Sequence, residues 1–267
     1  MTDNLQIQRL RDIMVRLRDP ENGCPWDIEQ TFDSIVPCTI EEAYEVADAI
    51  ADKDMPKLKD ELGDLLLNVV FHAQMASEAG YFTLDDVAEV ICEKMERRHP
   101  HIFGDVQAED SAAVLKNWED IKERERQDNK DASALADVPS ALPALSRAYK
   151  LSKRAVRVGF EWNNIHDLAH KVEEELNEFQ VEVDADNHAA MEEEMGDLLF
   201  TVVNLARWHK VNPETALRNA NTKFEKRFRH MEGMALSENR EFSSLDADER
   251  EALWERAKKS EKQRKAS

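Results

Sequence analysis

Four carboxylates in the second half of this 267-residue chain recur at spacings that suit a cation: Glu175 and Glu178, then Glu194 and Asp197. Residues three or four apart share one face of a helix, so each pair projects two carboxylates in one direction. Two such helices packed side by side would aim all four at one spot. Like charges that close repel, and the arrangement holds only if some protonate or a cation sits among them. Hard oxygen donors of this kind suit Mg²⁺ or Mn²⁺. Lys171 lies one turn before Glu175 and on its face, where a cation could meet an anionic substrate. Glu174, adjacent to the set, is the candidate for orienting a water.

The competing reading of any single acidic run is a solvated face, since 56 Asp+Glu stand against 36 Lys+Arg. Two details speak against it here. Leu198 and Leu199 follow Asp197 directly, which puts the pair beside an apolar stripe. Gly196 lies within the same helix, where Gly costs about 1 kcal/mol against Ala, and close approach of a ligand or a second helix would explain it.

The pattern occurs twice. Glu42, Glu45, Glu61 and Asp64 precede Glu175, Glu178, Glu194 and Asp197 by a constant 133 positions, and Gly63 precedes Gly196 by the same number. Flanking residues repeat at nearby offsets: Trp26 answers Trp162, Lys94 and Arg98 answer Lys223 and Arg227, Trp118 and Lys122 answer Trp254 and Lys258. The first set is therefore a secondary candidate metal site. Cys38 stands there in place of Lys171. In addition, Thr39-x-x-Glu42 fits a capping box just after Pro37, so its helix is expected to open there, with Glu42 and Glu45 at a fraying end.

Lys223 and Arg227, four apart, could meet anionic oxygens or pair with local Glu. Trp254, four residues before Lys258, could be core or a platform for a base with the ammonium near a phosphate.

Helices must position all of these. With only 7 Gly and 8 Pro, 42% apolar and 34% charged residues, the composition is that of a long-helix, all-α protein. Punctuation predicts helices opening at Thr39, Pro56, Thr83 and Ser111, then near 165–185, 188–210, 213–232 and 246–264. Leu58, Leu62, Leu65, Leu66, Val69 and Val70 form a helical stripe after Pro56. No strand is expected. Asp128 to Pro143 reads as a linker, which divides the chain into tandem domains at 1–130 and 140–267.

A net charge of −20 disfavours direct nucleic-acid binding and anionic membranes. Leu65 to Ala76 is too short and polar to span a bilayer, and Met1-Thr2-Asp3-Asn4 lacks a leader's basic and apolar blocks. Cys24, Cys38 and Cys92 form no disulfide framework, which points to a cytoplasmic setting.

Glu-Glu-x-x-Glu followed by Glu-x-x-Asp, in tandem copies with Gly23-Cys24-Pro25-Trp26-Asp27 and Arg97-Arg98-His99-Pro100-His101 between, resembles the bacterial MazG nucleoside triphosphate pyrophosphohydrolases. The resemblance covers nearly the whole chain. It implies a Mg²⁺-dependent homodimer of four-helix-bundle-forming domains that converts nucleoside triphosphates to monophosphate and pyrophosphate, in nucleotide-pool control or house-cleaning. It also implies metal ligation at Glu175, Glu178, Glu194 and Asp197, and nucleotide contact at Lys223, Arg227, Trp254 and Lys258. The C-terminal copy is expected to be the main active site. A di-iron bundle would want Glu-x-x-His on two helices, and Glu225-x-x-Phe228 breaks the second one. A non-catalytic helical scaffold or regulatory partner-binding protein is the alternative from another class.

Overall fold

The computed structural model describes residues 5–107, 110–127 and 133–266. Residues 1–4, on which the expectation about a leader falls, and 128–132, where the expected linker begins, lie outside them. Among the described residues every regular element is helical, in two compact units, 1–128 and 129–267. No helix among them is long and apolar enough to cross a membrane.

The first unit holds α1 (Leu5–Leu17), α2 (Pro25–Glu29), α3 (Phe32–Asp52), α4 (Met55–Glu78), α5 (Leu84–Arg98), α6 (Pro100–Phe103) and α7 (Ser111–Gln127). The second holds α8 (Ala144–Arg157), α9 (Ile165–Asp184), α10 (His188–Trp208), α11 (Pro213–Ser237), a 3₁₀ turn at Phe242–Ser244 and α12 (Ala247–Ala266). In each unit a long helical hairpin, α3 with α4 and α9 with α10, carries the acidic motifs. The hairpins turn by the same device. Lys53 (φ 58°) and Asp186 (φ 53°) take the left-handed conformation, and the next residue, Asp54 or Asn187, caps the second helix through its side chain.

The repeat also shows in ion pairs. Arg98 meets Glu125 at 2.5 Å in the first unit, and Arg227 meets Glu261 at 2.7 Å in the second. Lys122 lies over the Trp118 ring at 4.0 Å, whereas its counterpart Lys258 pairs with Glu255 and Arg227 lies over Trp254.

Three expectations need correction. Helix α3 does not open at Thr39: its capping box is Thr31 with Ser34, more than two turns earlier, and the Thr39 hydroxyl bonds back to the Ile35 carbonyl. Pro37 lies inside the helix, in its second turn, where its missing N–H forgoes the one intrahelical bond to the Asp33 carbonyl. Glu42 and Glu45 are therefore mid-helix, as Glu175 and Glu178 are. Second, 133–143 is more than a spacer, since Ala136 is 7% exposed and Asp137 O accepts a bond from Arg154 of α8. Third, a Cβ at Gly63 or Gly196 would meet nothing within 4 Å, so no second helix among the described residues presses on either. The apolar stripe of α4 is likewise split: Val70 is buried, while Leu62, Leu66 and Val69 are exposed.

Candidate functional site: a carboxylate cluster beside an aromatic cleft

Helix α9 starts at an Asn164 side-chain cap, which places Lys171, Glu174, Glu175 and Glu178 two to four turns inside it, on rigid backbone. Helix α10, capped by Asn187, brings Glu194 and Asp197 opposite. One carboxylate oxygen from each of Glu175, Glu194 and Asp197 lies within 4.8 Å of the others. Glu175 is 5% exposed, an unusual position for a carboxylate without compensation.

Compensation comes from Lys171. Its Nζ is 2.8 Å from Glu174, 3.0 Å from Glu175 and 3.9 Å from Glu178, and Glu174 first, then Glu175, hold its pKa above the ordinary ammonium value. Glu178 thus faces Lys171 and stays outside the three-oxygen cluster, though its charge reaches it. Burial first, then the charges of Glu178, Glu175 and Asp197, push the Glu194 carboxyl above its usual range. One ammonium does not neutralise four carboxylates, and an all-oxygen, partly buried set of this kind fits a hard divalent cation.

The first unit assembles a different trio, Glu42, Glu45 and Glu61. Cys38 stands there in place of Lys171, and the ammonium of this cluster is Lys57, 3.8 Å from Glu61 on the same helix, while Glu45 lies against Glu61. Burial and the neighbouring carboxylates, Asp64 among them, raise Glu42, while burial and Glu45 raise Glu61. A Glu42 oxygen is buried there without a hydrogen-bond partner.

The four other nucleotide candidates lie on the α11–α12 hairpin. Arg227 is paired with Glu261, 5.5 Å above the Trp254 ring, and Lys258 is paired with Glu255. Trp254 packs against the buried cluster of Met231, Ala235, Leu245, Leu253 and Ala257, and tilts against Phe224. Lys223 and Arg227 line a small hollow of about 240 Å³ with His230 and Ser260. No hydrogen bond or ion pair among the described residues ties these four to the carboxylates.

Sequence reasoning did not find the larger feature beside Lys171, a cleft of about 700 Å³. Gly159 (φ 87°) ends α8 and turns the chain so that Phe160 and Trp162 flank the opening. Its floor is α10 and α8: Ser152, Thr201 and Asn204, all buried. The only sequence signal for it was Trp162 itself, which could be aligned with Trp26 but not placed.

Comparison with known proteins fixes the class. The MazG nucleotide pyrophosphohydrolase domain matches residues 30–103 and 163–232, each match spanning an acidic hairpin and reaching into the helix after it. The chain belongs to this family and carries two copies of its domain. It is 51% identical over 258 residues to the nucleoside triphosphate pyrophosphohydrolase of Escherichia coli (strain K12), covering 96% of this chain and 98% of that one. It is 43% identical to the nucleoside triphosphate pyrophosphohydrolase/pyrophosphatase MazG of Thermotoga maritima, over 94% of this chain and 95% of the relative. A third relative, the nucleoside triphosphate pyrophosphohydrolase of Mycobacterium tuberculosis, is 34% identical over 69% of this chain and 54% of its own length.

Proposed function

We propose that the second copy hydrolyses nucleoside triphosphates between the α and β phosphorus atoms, giving nucleoside monophosphate and pyrophosphate. The observation that carries this reading is the cluster of Glu175, Glu194 and Asp197 oxygens within 4.8 Å, with Lys171 on its edge. Mg²⁺, or Mn²⁺, would be held by these three with Glu178 joining when Lys171 releases it. Bound, the ion would neutralise and orient phosphate oxygens.

The chain's own groups do the rest. Lys171 offers an ammonium to the triphosphate at the mouth of the site. Lys223, Arg227 and Lys258 form a cationic patch for further phosphate oxygens, with Trp254 as the surface on which Arg227 rests. Glu174, exposed and bound to Lys171, orients the attacking water. Direct attack by water is favoured because the sequence holds no Ser or Cys nucleophile motif and no Gly-x-x-x-x-Gly-Lys phosphate loop. A role in control of the cytoplasmic nucleotide pool fits this chemistry and the three unbridged cysteines.

The working form is proposed to be a homodimer. Leu176 and Val183 of α9, and Leu199 and Val202 of α10, are exposed apolar side chains on the hairpin that carries the site. Two hairpins facing through such residues make a four-helix core. Gly196, open on this hairpin, leaves room for a ligand or for the second chain.

The test is a panel of ribo- and deoxyribonucleoside triphosphates with product identification. Pyrophosphate and monophosphate should appear only with divalent metal, and alanine at Glu175, Glu178, Glu194 or Asp197 should lower turnover by orders of magnitude with helical content kept. Orthophosphate and diphosphate as first products would contradict the scheme, and an inert protein would return the reading to a helical scaffold.

A further inference from the structure

Arg227 is held on the α11–α12 hairpin by one carboxylate. Its Nε donates to Glu261 Oε2 at 2.8 Å, and its Nη2 lies 2.7 Å from the same oxygen. The guanidinium also rests 5.5 Å from the centre of the Trp254 ring. Glu261 thus takes the side edge of the guanidinium plane while Trp254 covers a face. A guanidinium carries five N–H donors, and two of them point at Glu261. The other three, two on Nη1 and one on Nη2, meet no partner among the described residues. They form the end edge of the fork, whose two parallel N–H bonds match a pair of phosphate oxygens.

The surroundings set this carboxylate apart. Among the described residues that line the hollow of about 240 Å³, Glu261 is the one acid, beside Lys223, Lys226, Arg227, His230 and Ser260. A cationic hollow attracts phosphate without any acid in it, and an acid there weakens that attraction. Its presence needs a compensating gain, and a fixed fork supplies one.

The first unit repeats the geometry. Arg98, 129 positions before Arg227, directs Nε at 3.1 Å and Nη2 at 2.5 Å to one oxygen of Glu125. Glu125 precedes Glu261 by 136 positions, the offset that also relates Trp118 to Trp254. The other oxygen of Glu125 accepts from Arg97 at 2.7 Å, where the second unit has Lys226. A side-on grip present in both copies belongs to the domain rather than to one patch of surface.

We propose that Glu261 is a positioning residue for the hydrolysis, holding Arg227 side-on so that the free end edge of its guanidinium meets the phosphate chain of the nucleotide. The assignment rests on the triphosphate reading above, in which Arg227 meets phosphate oxygens. Glu261 itself touches no substrate. Without it the guanidinium would turn on its flexible stem, and the fork would be ordered only on binding, with that entropy cost subtracted from affinity.

Kinetics of three variants test this. Glu261→Ala should raise KM for a triphosphate about tenfold, the scale of one charge-assisted bond, with kcat within about twofold. Glu261→Gln keeps an oxygen that can accept the side-on bonds and should recover most of that loss. In an Arg227→Ala background Glu261→Ala should add nothing, because the carboxylate acts through the guanidinium alone. Melting temperatures should stay close to wild type, since a partly exposed ion pair contributes little to folding. A KM unchanged or lowered in Glu261→Ala would overturn the proposal, the lowered value marking Glu261 as a competitor of phosphate. So would a Gln variant as impaired as the Ala variant, or a full further loss in the Arg227→Ala background. Wild-type protein that hydrolyses no triphosphate would instead sink the reading of the carboxylate site, and calorimetric titration of the same variants with inorganic tripolyphosphate then decides the role of Glu261 through affinity.

Discussion

Lys171 is the residue on which the two acidic clusters diverge. It occupies the mouth of the second as an internal counter-ion, and both of its effects on a divalent cation, competition for Glu175 and Glu178 and direct repulsion, oppose binding. Lys171→Met should therefore tighten Mg²⁺ while lowering turnover, a split visible by titration calorimetry beside steady-state kinetics. Protonation offers a second check. A carboxyl raised above its usual 4.5, as Glu194, Glu42 and Glu61 are, adds stability that is complete below 4.5 and is lost as pH climbs through the raised value. Metal-free protein should melt at progressively lower temperature as pH rises above the ordinary carboxyl value of 4.5, and Mg²⁺ should flatten the dependence. A metal-free melting temperature that rises as pH climbs above that value would show that the clusters are not under charge strain.

At the scale of elements, helix α3 shows how a sequence signal misleads. Thr39-x-x-Glu42 has the letters of a capping box and follows a proline, yet the box is closed by Thr31 and Ser34. Thr31→Ala should cost about 1 kcal/mol in denaturant unfolding, the usual loss of a cap, whereas any loss in Thr39→Ala comes from the contacts of its hydroxyl with Asn68 and His72 of α4 and not from a cap. Helices α4 and α5 were legible because real caps, Asp54 and Thr83, coincided with apolar periodicity. The clustering of the acidic residues was legible for a related reason: residues on one helix or one hairpin have spacing that maps directly onto geometry. The cleft was not, because it depends on how α8 and the segment near Leu135 lie against α10, and helix α8 itself carried no opening signal beyond Pro143. The Glu178 side chain shows the remaining limit, since spacing placed it on the right face but could not foresee that its carboxylate would lie 3.9 Å from Lys171 and outside the three-oxygen cluster.

For the whole molecule, the exposed apolar residues of α9 and α10 predict association. Sedimentation should give twice the 30.7 kDa chain mass at micromolar concentration, and a monomer would remove the dimer from the proposal. The asymmetry between copies rests on Lys171 and the cleft, because Glu42 and Glu45 sit mid-helix and are held as firmly as their counterparts. Glu175→Ala/Glu178→Ala should abolish activity where Glu42→Ala/Glu45→Ala spares most of it, and equal losses would refute the asymmetry.

The first unit packs Met14 of α1 with Phe71 of α4 in a dry cluster where the second has its cleft, and this has a thermal consequence. An open cleft forgoes the close packing that a filled one supplies, so under the proposed function the first unit is the robust copy and the second the working copy, the usual trade between stability and activity. Calorimetric melting should show the working copy giving way first, with nucleotide moving that transition and leaving the later one in place.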